Sequence, residues 1–143
     1  MKTLTLDIAD RIIGAALAHA DAAAYRPMAV VVLDESGNLK AARRADGASM
    51  FRCDIATAKA WGAVAMGSSS RQLAERAAGN PNFFLSLAAT SNGRFLCQPG
   101  AVLIRAADGE IIGAVGASGG TGEEDEAICL AGVAAAGMRS DRA

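Results

Sequence analysis

From Thr5 to Ala24 the apolar positions Ile8, Ala9, Ile12, Ile13, Ala16, Leu17 and Ala20 return every three or four residues. At about 100° per residue they share one broad side. Asp7, Asp10, Arg11 and Asp21 take the other side, so the pattern predicts a helix with Thr5 as N-cap and Asp7 in its first turn. Tyr25-Arg26-Pro27 ends it. The rhythm then changes. Met28–Leu33 is an unbroken apolar, largely β-branched run, which predicts a buried strand. Asp34-Glu35-Ser36-Gly37-Asn38 is a turn, and Leu39–Arg44 returns as the second strand of a hairpin. Asp46, between Ala45 and Ala48, suits an Asx-turn.

Ser49 is a plausible cap for a second helix over Met50–Met66, whose apolar side includes Phe51, Ile55, Ala58 and Val64. Gly67-Ser68-Ser69-Ser70 breaks the chain and caps a short helix, Arg71–Ala78, which Gly79-Asn80-Pro81 ends. Asn82–Ala88 fits a helical turn and a strand equally. Phe95–Cys97 reads as a short strand. Ala101–Arg105 and Ile111–Ala117 pair around an Asp108-Gly109 turn. A last helix follows over Glu124–Gly137, and Met138–Ala143 reads as a frayed tail. The order α-β-β-α-α-β-β-β-α predicts an α+β domain over residues 1–143, an antiparallel sheet flanked by helices.

Composition narrows this picture. Of 143 residues, 52% are apolar but only 4% aromatic, so Ala, Val, Ile, Leu and Met must build the core. A formal charge of −1 with no basic run argues against nucleic acid. No run reaches the ~20 apolar residues of a membrane span, and Met1–Asp10 lacks the marks of a secretory leader. Cys53, Cys97 and Cys129 form no Cys-x-x-Cys, so reduced thiols in a cytoplasmic protein are expected. The single histidine, His19, excludes a multi-histidine metal site.

The densest stretch is Gly113–Ala127, where Gly116, Gly119, Gly120 and Gly122 fall within seven positions between a strand and a helix. No Lys follows the glycines, so this is no P-loop, and Glu123, Glu124 and Asp125 occupy the end where an anion would sit. A tight structural turn is the plainer reading. Lys59 is the sole charge in Ile55–Met66; a helical lysine is ordinarily a solvated surface residue with a buried stem, and its uncharged surroundings add a structural or ligand-binding position as the less ordinary alternative. His19 lies at the margin of the first helix's apolar side, as a boundary residue or an axial haem ligand.

Two readings of the charged residues stay open. Lys59, Asp46, Asp54, Asp125 and Glu126 could serve as acid–base groups of a metal-free isomerase, hydratase or lyase on a small polar metabolite. The amides of Gly116–Gly120 would then face an oxyanion. Ser118 has no Gly-x-Ser-x-Gly elbow and is no hydrolase nucleophile. Alternatively Asp46, Lys59, Asp125 and Glu126 form an ion-pair network that fixes the glycine turn.

Val31-Val32-Leu33-Asp34-Glu35-Ser36-Gly37, Arg43-Arg44-Ala45-Asp46-Gly47-Ala48, Ala56-x-x-Lys59-Ala60 and Ile112-Gly113-Ala114-Val115-Gly116-Ala117-Ser118-Gly119-Gly120 with Asp125-Glu126-Ala127 stand in one order over most of the chain. This set resembles the GlcG/HbpS-like family of small bacterial proteins, which includes the C-terminal domain of PduO-type adenosyltransferases. The resemblance implies a profilin-like layered fold, a homo-oligomer from dimer to octamer, and small-ligand binding, haem included. His19, Asp46, Lys59, Gly116, Ser118 and Gly119 are then the expected ligand-binding positions. The sulfurs of Cys53, Cys97 and Cys129 are further candidates for haem iron, and Arg43, Arg44, Arg52 and Arg94 for its propionates. One departure is Pro99-Gly100-Ala101-Val102-Leu103-Ile104, where the family shows Gly-Gly-x-Pro-Ile.

Overall fold

The computed structural model describes residues 3–140. Helix α1 (Leu6–Ala22) starts where Thr5 Oγ1 accepts the Ile8 amide at 3.1 Å, with Asp7 in the first turn. It ends in a Schellman motif, in which the Tyr25 amide reaches Ala20 O and the Ala24 amide reaches Asp21 O. Ala24 takes the left-handed position that this motif usually gives to glycine, with φ 58°.

Strand β1 (Ala29–Asp34) pairs antiparallel with β2 (Leu39–Arg44) on one side and with β4 (Ile111–Ser118) on the other; β3 (Ala101–Arg105) pairs antiparallel with β4. The sheet order is β2-β1-β4-β3. β1 and β4 are central and covered on both faces, which is why Met28–Leu33 reads as a continuous apolar run rather than an alternating one.

Side-chain alternation splits the core into two layers. Val30, Val32, Val102, Val115 and Ala117 point to α1 and to the last helix, α5 (Gly122–Ala135). Val31, Leu33, Ala101, Leu103 and Ala114 point to α2 (Phe51–Met66) on the other face. Small residues let these layers close up. A Cβ at Gly116 would strike the backbone of Ala56 on α2, and one at Gly132 on α5 would strike Ile12 O on α1.

Helices α3 (Ser70–Gly79) and α4 (Pro81–Thr90) follow α2 and carry a third, smaller cluster around Leu73, Phe84 and Phe95. The ambiguous Asn82–Ala88 is thus helical, begun by Pro81, whose fixed φ and missing N–H suit the first turn. Phe95–Cys97 is irregular, not a strand. Phe95 anchors the third cluster instead. The β3 edge is occupied elsewhere: Ser70 Oγ accepts the Ala101 amide at 2.8 Å and donates to Ala101 O, and Arg105 forms a two-way backbone bridge with Arg139. That bridge also gives the first part of the expected tail a fixed position; residues 141–143 lie outside the described ones.

Two caps also differ from expectation. Ser49 caps nothing; Met50 precedes α2 without a side-chain bond. α5 begins two residues early because Thr121 and Glu124 form a reciprocal capping box, with hydrogen bonds of 3.1 and 3.0 Å. Among the described residues no helix is long and apolar enough to cross a membrane.

Candidate functional site

Helix α2 carries Lys59 toward the end of β4, and α5 carries Asp125 to meet it. Lys59 Nζ donates to Asp125 Oδ2 at 3.0 Å and to Ala117 O at 3.1 Å, and both side chains are buried. Asp125 Oδ1 accepts the Gly120 amide at 3.0 Å. The carboxylate therefore ties the glycine turn to α2. Burial pushes the Asp125 carboxyl above its ordinary range, against the pull of the Lys59 ammonium and the Gly120 amide. Gly100 completes the enclosure: a Cβ there would sit 2.6 Å from Lys59 Nζ and 3.0 Å from Asp125 Cβ.

Glu126, the next residue, faces a different partner. Arg71 on α3 holds it with three hydrogen bonds of 3.0 to 3.2 Å. That charge-assisted contact raises the Arg71 guanidinium above its ordinary value. The Ser118 hydroxyl accepts from Arg52 Nη1 at 3.4 Å. Gly116 lies beneath α2 and Gly119 packs against Pro27 and Met28, so the turn is filled from within. The Gly120 amide is taken by Asp125 and is not free for an oxyanion.

The structure thus brings Lys59, Asp125, Gly116, Ser118, Gly119 and Glu126 to one end of β4, and leaves Asp46 and His19 elsewhere. Asp46 is exposed after β2. His19 is exposed in the last turn of α1, its ring 6.3 Å from that of Tyr25. Of the expected ionic network, Lys59 with Asp125 is one pair, Glu126 with Arg71 is another, and Asp46 belongs to neither. Arg71 was hidden from sequence reasoning by a separation of 55 residues and by its ordinary look at the start of a polar helix.

The cysteines have separate surroundings. Cys129 is buried, with its thiol on Gly100 O at 3.5 Å and its ionisation suppressed by burial. Cys97 lines a cavity of about 380 Å³ between α3, α4 and the 95–98 segment. Its walls are mainly apolar, with Phe84, Leu85, Phe95 and Leu96 prominent. Arg76 crosses this region with its guanidinium 5.3 Å from the centre of the Phe84 ring. Burial raises the Cys97 thiol, and the Arg76 charge opposes that shift. Arg94 stacks on Trp61 nearby, at 4.6 Å. No group of three His, Cys, Asp or Glu side chains gathers for a metal ion among the described residues.

Known proteins share this architecture. A crystal structure of a PduOC:haem complex superposes with TM-score 0.86 and 26% identity, over 98% of this chain and 99% of that one. A double mutant of Streptomyces reticuli HbpS superposes at 0.81 with 30% identity, over 94% and 87%. An uncharacterized 15.0 kDa protein from the dhaT-dhaS intergenic region of Citrobacter freundii is 29% identical over 102 residues, 71% of this chain and 70% of its own. The family model described as haem degrading protein HbpS-like matches residues 4–134, and the chain belongs to that family.

Proposed function

We propose that this protein is an oligomeric haem-binding protein. The observation that carries the reading is the cavity under α4. Haem needs an apolar slot for its macrocycle, cations for two propionates and a ligand for iron. The cavity offers Phe84, Leu85 and Phe95 as walls and the Cys97 thiol on its lining. Arg76 and Arg94 lie close by, and neither makes an ion pair with a carboxylate among the described residues. Its volume of about 380 Å³ lies within the range of ligand pockets. The full-length likeness to a protein solved with haem supports the same reading. When bound, haem supplies redox and ligand-binding chemistry at its iron. The chain's own share is to exclude water with the phenylalanines, to hold the propionates with Arg76 or Arg94, and to give up the Cys97 proton on ligation.

His19, the sole imidazole of this chain, is a second candidate ligand beside the free cysteines. It is exposed, so it would need a second copy to cover the iron. Six large apolar side chains are exposed, Leu6, Leu39, Met50, Phe51, Phe83 and Leu85, which favours assembly into dimers or larger rings.

The test is a haemin titration of the size-exclusion-purified protein, followed by absorbance, in wild type, Cys97→Ala and His19→Ala. Saturable binding that weakens in Cys97→Ala supports the cavity. Loss only in His19→Ala moves the iron to α1. No saturable binding ends the haem reading, and a monomeric species on light scattering ends the oligomer reading. The metal-free enzyme alternative loses ground for a physical reason: Lys59 and Asp125 are spent on each other and on backbone, and neither lines any of the cavities described here.

A further inference from the structure

Helix α4 is held differently from its neighbours. α3 is tied to β3 through Ser70 and to α5 through Arg71, and α2 to α5 through Lys59. The side-chain hydrogen bonds of α4 stay within it: Ser86 Oγ donates to Asn82 O at 2.9 Å and Thr90 Oγ1 to Ser86 O at 3.0 Å. Among the described residues no hydrogen bond or ion pair joins Pro81–Thr90 to another helix or strand. Its one buried side chain is Phe84, which sits with Leu73 and Phe95 under the Arg76 guanidinium.

Both ends of α4 are jointed. Asn80 alone separates it from α3, with φ −150° and ψ 61° and no capping bond from its side chain. Pro81 keeps Asn80 from continuing the first helix into the second. At the other end Asn92 and Gly93 take left-handed backbone in succession, with φ 60° and 80°. A Cβ at Gly79 or Gly93 would meet nothing within 4 Å, so no packing fixes either joint.

Open space undercuts the helix on both flanks. Phe84, Leu85 and Ala88 border the cavity of about 380 Å³ that Cys97 lines. Leu87, Thr90 and Ser91 border another, of about 220 Å³, against Trp61 and Arg94. Phe95 is a wall of both, and its ring lies 6.4 Å from that of Phe84. The aromatic contact that holds α4 down is therefore also what stands between the two spaces.

We propose that α4 is a hinged lid, latched by Phe84 on Phe95, whose opening joins the two cavities into one slot and admits a flat apolar ligand. That the ligand is haem rests on the function proposed above; the lid rests on how α4 is held. A segment with one buried anchor and exposed backbone hydrogen bonds opens more readily than the core it covers.

The experiment is amide hydrogen exchange of the full chain, free and with haemin, over a series of sub-denaturing urea concentrations. The expected result is that the amides of 85–89 share one protection level, about a hundredfold or more below that of Ala60 and Ala63 in α2, and that urea barely changes it. Phe84→Leu lowers that protection further and leaves Ala60 and Ala63 as they were. Saturating haemin raises it about tenfold or more. Protection over 85–89 that equals that of α2, with the same urea dependence, makes α4 part of the core and overturns the proposal. Protection graded inward from the helix ends is fraying and overturns it too, as does a Phe84→Leu variant that exchanges like wild type. Haemin that binds without protecting 85–89 places ligand entry elsewhere and overturns the lid, whereas haemin that does not bind ends the haem reading alone and leaves the lid to be judged on the free protein.

Discussion

At the end of β4, charged groups are buried and every one has a partner: Lys59 has Asp125 and Ala117 O, and Asp125 has Gly120 as well. Under α4 the arrangement is reversed, with apolar side chains lining open space and Leu85 left 75% exposed. The first region holds the residues a chemist would pick from the sequence, yet it has no room for a ligand. The second holds no recognisable motif, yet it has the room. In this fold, buried charge marks where the layers are locked, and unsatisfied apolar surface marks where something else can bind.

Lys59→Ala breaks the comparison at its strongest point. It leaves Asp125 buried without its ammonium, and we expect a loss of about 3–5 kcal/mol in urea unfolding. The double change Lys59→Met with Asp125→Leu should recover most of that loss; if it does not, the pair does more than lock the layers. A smaller effect is expected from pH. The Asp125 carboxyl is raised in the folded state, so folding takes up a proton there as pH falls. Stability from this group is greatest below the unfolded carboxylate range and declines as pH rises through the folded value. Wild type should therefore gain on Asp125→Asn as pH drops from neutral toward that range, and parallel curves would remove the assigned shift. The smallest change belongs to the other region. Leu85→Gln should move stability by no more than about 0.5 kcal/mol while weakening haemin binding. A large unfolding effect would make that surface part of the core.

Much of the fold was legible because its strongest signals are periodic. α1 follows the three-and-four spacing from Ile8 to Ala20, and β1 announces a two-sided burial by its unbroken valines. The glycine turn was legible as structural, since carboxylates already held the helix end. The 81–98 segment was not legible. Its apolar residues serve a small satellite core around Leu73 and Phe84, where the short helix α4, Pro81–Thr90, turns only Phe84 fully inward and an irregular anchor such as Phe95 adds no period to detect. The site was only half legible for a related reason. Lys59 stood out against an uncharged helix face, but whether its partner was Asp125, Glu126 or Asp46 depended on how α5 turns, and Arg71 gave no local sign. Cys97 could be named from the sequence; its apolar cavity could not, because its walls come from one segment of ambiguous conformation, Asn82–Ala88, and one that reads as a strand and is irregular, Phe95–Cys97.

The two borders of the sheet differ. That of β3 is taken up by Ser70 and Arg139, while β2 pairs only with β1 and carries Lys40, Arg43 and Arg44. A chain with one available border can accept one further strand and then has nothing left to offer a third. Edge-to-edge addition in this protein is therefore directed to the β2 border and expected to stop at a pair, and Lys40 and Arg44, on one face of that strand, make even that pair sensitive to salt.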